Sequence, residues 1–252
     1  MKNPEIGKVC AICQPYFLPW LGYFEMIDRV DEFIVLDDVQ YSKGDWVNRN
    51  RILSLVPGKQ WQWLTVPVYR KGLEQKIKEI EINYSRDWSR KVVETIRYVY
   101  KDTPYFNHYF AMLTEVLNQR PKYLLTFVVS MLQSLLAVLK IETAITLSSS
   151  YDAPGRKEEK LIKLCQLAGA KVYLANNGSK PYIQASLFQD EKIGFLFQDY
   201  QHPGYQSVLS EQVTHMSVID LMFNYGEESR DVILQGRDPR DAPLFTQRSC
   251  GV

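Results

Sequence analysis

Two runs of the chain hold most of the side chains that could do chemistry. Gln14-Pro15-Tyr16-Phe17-Leu18-Pro19-Trp20-Leu21-Gly22-Tyr23 brings an amide, two phenols and an indole to a turn that a glycine could open. Tyr41 to Arg51 (YSKGDWVNRNR) supplies three cations, Lys43, Arg49 and Arg51, against one carboxylate, Asp45. Beside them stand Tyr41, Trp46, Asn48 and Asn50. Arginine presents a forked set of donors suited to phosphate or carboxylate, and an indole stacks on a base or a sugar face. The second run therefore reads as a loop for a small anionic ligand, with a solvated basic turn as the plainer alternative. Between the runs, Asp37-Asp38 could act as a general base, bind a hydroxylated ligand, or simply end a strand in solvent. His202, in the polar stretch Gln201-His202-Pro203-Gly204, is the acid–base candidate among three histidines. His108 falls in a helical stretch, and His215 reads as a cap contact before the last helix.

These side chains need strands and helices to place them. Lys8–Cys13 is a short apolar run broken by Gln14-Pro15, and Phe17 to Val30 has helical spacing. Glu32–Leu36 is a second apolar run, so the three make a βαβ unit. Gln60–Val68 and Lys76–Ile82 alternate as half-exposed strands, with Pro67 marking an edge. Ser85 and Thr103-Pro104 are expected to start helices, the first with Trp88, Val92, Ile96 and Val99 on one face. Tyr123–Leu139 is apolar without a charge, at the lower limit for spanning a bilayer, and reads as a buried helix. Ile145–Leu147, Val172–Leu174 and Ile193–Phe197 are further strands. Helices are expected over Arg156–Leu167, stopping at Gly169, and over Met216–Phe223 after Ser217.

The predicted class is α/β: a Rossmann-like, mostly parallel sheet with flanking helices and a helical insertion near 85–140. One domain is expected over 1–236, with 237–252 an irregular tail. Functional groups of such a sheet gather beyond the carboxyl ends of its strands. The rule points to Gln14 and Tyr16, Asp37-Asp38, Ser148–Ser150 and Asn176–Gly178, expected to converge on one crevice.

The first run, followed by Asp31, Asp37-Asp38-Val39-Gln40-Tyr41, Lys43, Trp46 and Asn48-Arg49-Asn50-Arg51-Ile52, resembles the signature of the WbqC-like proteins. Weaker matches are Tyr100, Pro104–Phe106, Ser149-Ser150 and Ser217–Asn224, so the resemblance spans about residues 8–235. Members of that family are encoded among bacterial genes for O-antigen and other surface-polysaccharide assembly. The resemblance implies a cytoplasmic transferase that modifies a nucleotide-activated sugar, with acyl or aminoacyl transfer to a sugar amine as the candidate reaction. Many members carry histidine just before the Gln-Pro; here that position is Cys13. A looser likeness in layout is to adenylate-forming ligases and nucleotidyltransferases, which usually show histidine where Tyr23 stands.

Composition narrows the rest. The 252 residues carry a net charge of +1 and 46% hydrophobic residues, which speaks against a nucleic-acid clamp, a polybasic membrane binder or a disordered chain. All five tryptophans lie in the first 88 residues, and Trp61, Trp63 and Trp88 follow strand and helix periodicity and are expected to be packing. Four scattered cysteines and no signal-peptide pattern fit a reducing cytoplasm. Cys10-Ala-Ile-Cys13 lies in the first strand, where its ends face opposite ways, without a second pair to complete a metal set. No P-loop, HExxH, G-x-S-x-G or GxGxxG occurs.

Asp37, Asp38 and His202 are the expected catalytic residues. Binding of a small anionic substrate falls to Gln14, Tyr16, Gly22, Tyr23, Tyr41, Lys43, Trp46, Asn48, Arg49, Asn50 and Arg51. No cofactor, no metal, no nucleic acid and no stable membrane insertion are expected. The rival class is a scaffold subunit with an aromatic surface: a flat patch would favour it, a concave pocket the enzyme.

Overall fold

The computed structural model describes residues 7–238. Five parallel strands form its central sheet: β1 (Val9–Cys13), β2 (Glu32–Val35), β7 (Ala144–Leu147), β8 (Val172–Ala175) and β9 (Gly194–Phe197), in the order β7-β2-β1-β8-β9. The chain builds outward from β1 to β2 and β7, then returns to the other side of β1 to lay down β8 and β9. The reversal falls between β1 and β8, where Val9 pairs with Val172 and Ala11 with Leu174.

Strand alternation decides which face each residue serves. Ala11 and Cys13 belong to the core under α1 (Leu21–Arg29), whereas Cys10 and Ile12 face α5 (Lys157–Leu167) and α6 (Ala185–Asp190). Both ends of the Cys-x-x-Cys therefore leave the strand on opposite sides, as expected. Cys10 meets Cys165 at 3.6 Å between sulfurs, in the core under α5. Gly169 sits at φ +67°, in the left-handed conformation that ends α5.

Between β2 and β7 the chain makes a long excursion. It contains β3 (Arg49–Leu53) and β4 (Trp61–Thr65), an antiparallel hairpin with Arg51 opposite Trp63. A smaller pair follows, β5 (Val68–Tyr69) with β6 (Glu81–Ile82), and then α2 (Trp88–Tyr100), α3 (Phe106–Asn118) and α4 (Leu124–Val138). The three helices lie within the expected insertion, and their buried side chains share a core with α1, β3 and β4. No helix among the described residues is long and apolar enough to cross a membrane. The hairpin β10 (Tyr205–Ser207) and β11 (Ser210–Val213), then α7 (Val218–Tyr225) and α8 (Ser229–Gln235), complete the fold.

Several local expectations are corrected. Arg49–Leu53 is a strand and not the end of a loop, because Asn50 and Ile52 turn inward and pair the segment with β4. Lys76–Ile82 is not an alternating half-exposed strand. Ile77–Glu79 forms a 3-10 turn that brings Ile77 and Ile80 into the core, closed by the Lys76 backbone N–H donating to Glu79. Asp87, not Ser85, caps α2 by accepting from the Arg90 N–H. Trp61 and Trp63 are 38% and 36% exposed, so only Trp88 of the three is core. The expected tail, with Cys250, lies outside the described residues apart from its first two positions. Of these, Arg237 pairs with Glu25 and Asp28.

Candidate active site

A cavity of about 410 Å³ opens at the carboxyl ends of β1 and β8, where the strand order reverses. Open α/β sheets bind ligands at such a point, because the loops leaving the two strands diverge there. Cys13 and Tyr16 come from the end of β1, and Trp20, Gly22, Tyr23 and Met26 from the start of α1. Asn176–Gly178 follow β8, and Gln198 and Tyr200 follow β9. Trp46, Arg51 and His215 close the mouth.

The turn after β1 is held from outside. Leu18 adopts a left-handed φ of +46° just before Pro19, and Asn50 Nδ2 donates to the carbonyls of Phe17 (3.1 Å) and Leu18 (2.8 Å). Tyr23 donates its hydroxyl to the Gln14 carbonyl at 3.0 Å, with its ring 5.1 Å from that of Tyr16. Gly22 lacks the Cβ that would collide with the Trp20 indole lying across it. Gln198 Nε2 donates to the Gly22 carbonyl (2.7 Å) and to the buried Glu25 (2.5 Å), fixing its amide in the pocket wall.

The phenols and thiol at the floor stay protonated. Burial pushes the Cys13 thiol up to about 12, although the Tyr16 hydroxyl and Asn176 amide pull the other way. Tyr16 is raised by the neighbouring Cys13 and by burial, and Tyr23 by burial first. A buried neutral thiol is a poor nucleophile, so Cys13 contributes volume and polarity to the floor.

The mouth carries the charge. Arg51 lies 5.3 Å from the Trp46 ring and 5.2 Å from Trp61, and its Nη2 donates to the His215 carbonyl at 3.4 Å. Arg51 Nε is buried without a hydrogen-bond partner, and no carboxylate among the described residues pairs with this guanidinium. His215 sits at φ +57°, in the left-handed region that few non-glycine residues occupy. Its ring stacks on Trp20 (5.5 Å, 25°) and lies 5.0 Å from His202. Burial and Arg51 lower the His215 pKa; burial and His215 push His202 down to about 4. Both imidazoles are therefore neutral near pH 7.

The structure thus divides the predicted site. Tyr16, Gly22, Tyr23, Trp46 and Arg51 meet at the pocket. Asp37 and Asp38 do not. They end β2 against the turn after β7, where Asp37 accepts from Ser149 N–H (2.9 Å) and Ser149 Oγ (2.7 Å). Lys160 pairs with Asp38 at 2.7 Å. Burial raises the Asp38 pKa, but Lys160 and Ser148 outweigh it and hold this carboxyl below its ordinary value. The four strand-end clusters therefore form two sites, one cross-linked and one open. His202 does not line the pocket either. Its Nδ1 donates to the Pro203 carbonyl at 2.9 Å and its ring backs Trp20 and His215.

The remaining binding candidates do not line the pocket. Tyr41 donates to Asn48 Oδ1 (2.9 Å) and Asn48 Nδ2 to the Val66 carbonyl (2.8 Å), locking the hairpin. Asn50 braces the Leu18 turn, and Gln14 serves through its carbonyl. Arg49 donates to the Gly44 carbonyl and covers Trp63, while Lys43 is exposed in the turn. His215 was missed because no motif surrounds it. Gln198 had a usable signal, being the first polar residue after an apolar strand.

The model of the WbqC-like protein family matches residues 14–232. The chain belongs to this family. The chain is also similar to the uncharacterized protein Rv1507c of Mycobacterium tuberculosis (strain ATCC 25618 / H37Rv). It is 33% identical over 229 residues, which cover 90% of this chain and 97% of that one. No solved structure matches.

Proposed function

We propose that the pocket binds a nucleotide-activated sugar and that the protein transfers an acyl or aminoacyl group to an amine of that sugar. One observation carries this reading. The crevice at the strand reversal combines aromatic faces with a single guanidinium, Arg51, that lacks a carboxylate partner among the described residues. A concave site of this kind also favours an enzyme over a flat scaffold surface. Arg51 would hold phosphate oxygens, aided by the first turn of α1, which has neither a side-chain cap nor an acidic residue. Trp46, Trp20 and Tyr16 offer faces for a base or sugar, and Asn176, Asn177 and Gln198 offer amides for its hydroxyls and edges.

Neutral His215 at the rim is the base. As the sugar nitrogen attacks the carbonyl of an activated acyl donor, the N–C bond forms and the bond to the leaving group breaks. His215 takes the proton from nitrogen and returns it to the departing group. The placement of WbqC-like genes among those for O-antigen and other surface polysaccharides supports a sugar as the acceptor and a cytoplasmic, bacterial setting.

Calorimetry with UDP- and dTDP-sugars and with ATP tests the reading. Losing a hydrogen bond to a charged group costs about 1.5–3 kcal/mol, so Arg51→Ala is expected to weaken the sugar nucleotide roughly 10- to 150-fold. Equal binding by both proteins would overturn the assignment. Binding of ATP alone would favour the adenylate-forming alternative.

A further inference from the structure

Outside the pocket, the least expected surface is the outer face of the β3–β4 hairpin. Strand alternation places Arg49, Arg51, Trp61 and Trp63 on that face, with Asn50, Ile52 and Leu64 beneath. The side chains interleave. Arg49 lies 4.1 Å from the Trp63 centroid, Trp63 is 5.4 Å from both Trp46 and Trp61, and Arg51 lies between Trp46 and Trp61. Packing does not explain two indoles more than one-third exposed on a two-stranded ribbon. Arg49, like Arg51, has a buried Nε without a hydrogen-bond partner and pairs with no carboxylate among the described residues. A shallow depression continues past Trp61 and Trp63 to Lys59. Trp46 and Arg51 belong to both the ladder and the pocket mouth, so the two surfaces are continuous.

We propose that this face is a second binding surface, adjoining the pocket, for a carbohydrate chain that carries acidic groups. The apolar face of a sugar ring stacks on an indole, and the guanidiniums beside it meet carboxylate or phosphate bidentately. The indoles stand at 78° and 48° to one another, so none forms a parallel slot for a flat base. Three cations on a chain of net charge +1 suit a short run of acidic sugars better than the long, continuous phosphate backbone of a nucleic-acid strand. That the bound chain is the acceptor end of the transferase substrate rests on the reading of the pocket; the binding itself does not.

The test is titration of the whole protein with a hexamer of galacturonic acid, followed by tryptophan emission and calorimetry. Maltohexaose and a ten-residue oligothymidylate serve as comparisons. The galacturonate hexamer is expected to shift the emission to the blue and to bind more tightly than either comparison. The double variant Trp61→Ala/Trp63→Ala should weaken it at least tenfold, while sugar-nucleotide affinity stays within about threefold. The single variants are run beside it, so that a folding defect in the double variant does not decide the matter. Absence of binding to the wild type, equal binding by the variants, or tighter binding of the oligothymidylate would each overturn the proposal. A protein that binds the hexamer through Trp61 and Trp63 but no sugar nucleotide would defeat the pocket assignment and leave this surface standing.

Discussion

Asp220 is a buried acid whose ionisation can be read as stability. It lies in the first turn of α7, accepts from the Tyr205 hydroxyl at 2.8 Å, and is fully enclosed. Burial pushes its carboxyl from 3.8 up to about 6, against the pull of the Tyr205 and Tyr100 hydroxyls. The folded state therefore holds this proton more tightly than the unfolded chain. The resulting stabilisation is fully present below about pH 4 and is lost as pH rises through about 6. The rise of roughly two pKa units corresponds to about 3 kcal/mol in all, at 1.36 kcal/mol per unit, of which about 2 kcal/mol falls between pH 4.5 and pH 8. Asn at this position keeps an acceptor for Tyr205 and cannot ionise. Urea unfolding of wild type and Asp220→Asn across that range should show the variant gaining about 2 kcal/mol relative to wild type as pH rises. A difference that stays flat, or that shrinks with pH, would refute the reasoning. The outcome bears on the site, because Ser217 caps the same helix two residues after His215.

Three further outcomes are expected. With a thiol near 12 against about 8.5 for free cysteine, Cys13 should alkylate at pH 8 roughly a thousandfold more slowly than a free thiol, as mapped by mass spectrometry. Asn50→Ala strands the Phe17 and Leu18 carbonyls and should cost about 2–4 kcal/mol in chemical denaturation, with weaker ligand binding because the Tyr16 turn loosens. Since the His215 pKa is lowered, turnover that depends on its neutral form should hold from pH 8 down to about 6.5 and fall only below its ordinary value of 6.5; His215→Gln should remove that acid limb.

The sheet was legible because each of its strands is an apolar run that ends in a polar cluster, and the strand-end rule then located the pocket. The hairpin was not. Arg49-Asn50-Arg51 alternates two polar types, and only the fold reveals that Asn50 is 1% exposed, spent on bracing a turn 32 residues earlier. Hydrophobicity made Trp61 and Trp63 look like core, yet a two-stranded ribbon has one inner face and Leu64 and Ile52 occupy it. Asp37 and Asp38 sit at a strand end as the rule requires, but at β2, away from the reversal, where serines and Lys160 consume their acceptor capacity. His215 depends on a left-handed backbone that no local spacing announces.

The placement of β1 between β2 and β8 also sets an order of events during synthesis. Residue 32 can pair with residue 10 almost at once, whereas Val9 must wait for Val172. At roughly 5–20 residues per second, that wait is on the order of ten seconds or more, during which the inner edge of β1 has no strand beside it. An open apolar edge is a template for pairing with other chains until β8 arrives to cover it. A ligand that touches both the Cys13–Tyr16 turn and Asn176–Gly178 would clamp this late-made seam. The pocket's occupant would then act as a folding stabiliser for the half of the sheet that arrives last.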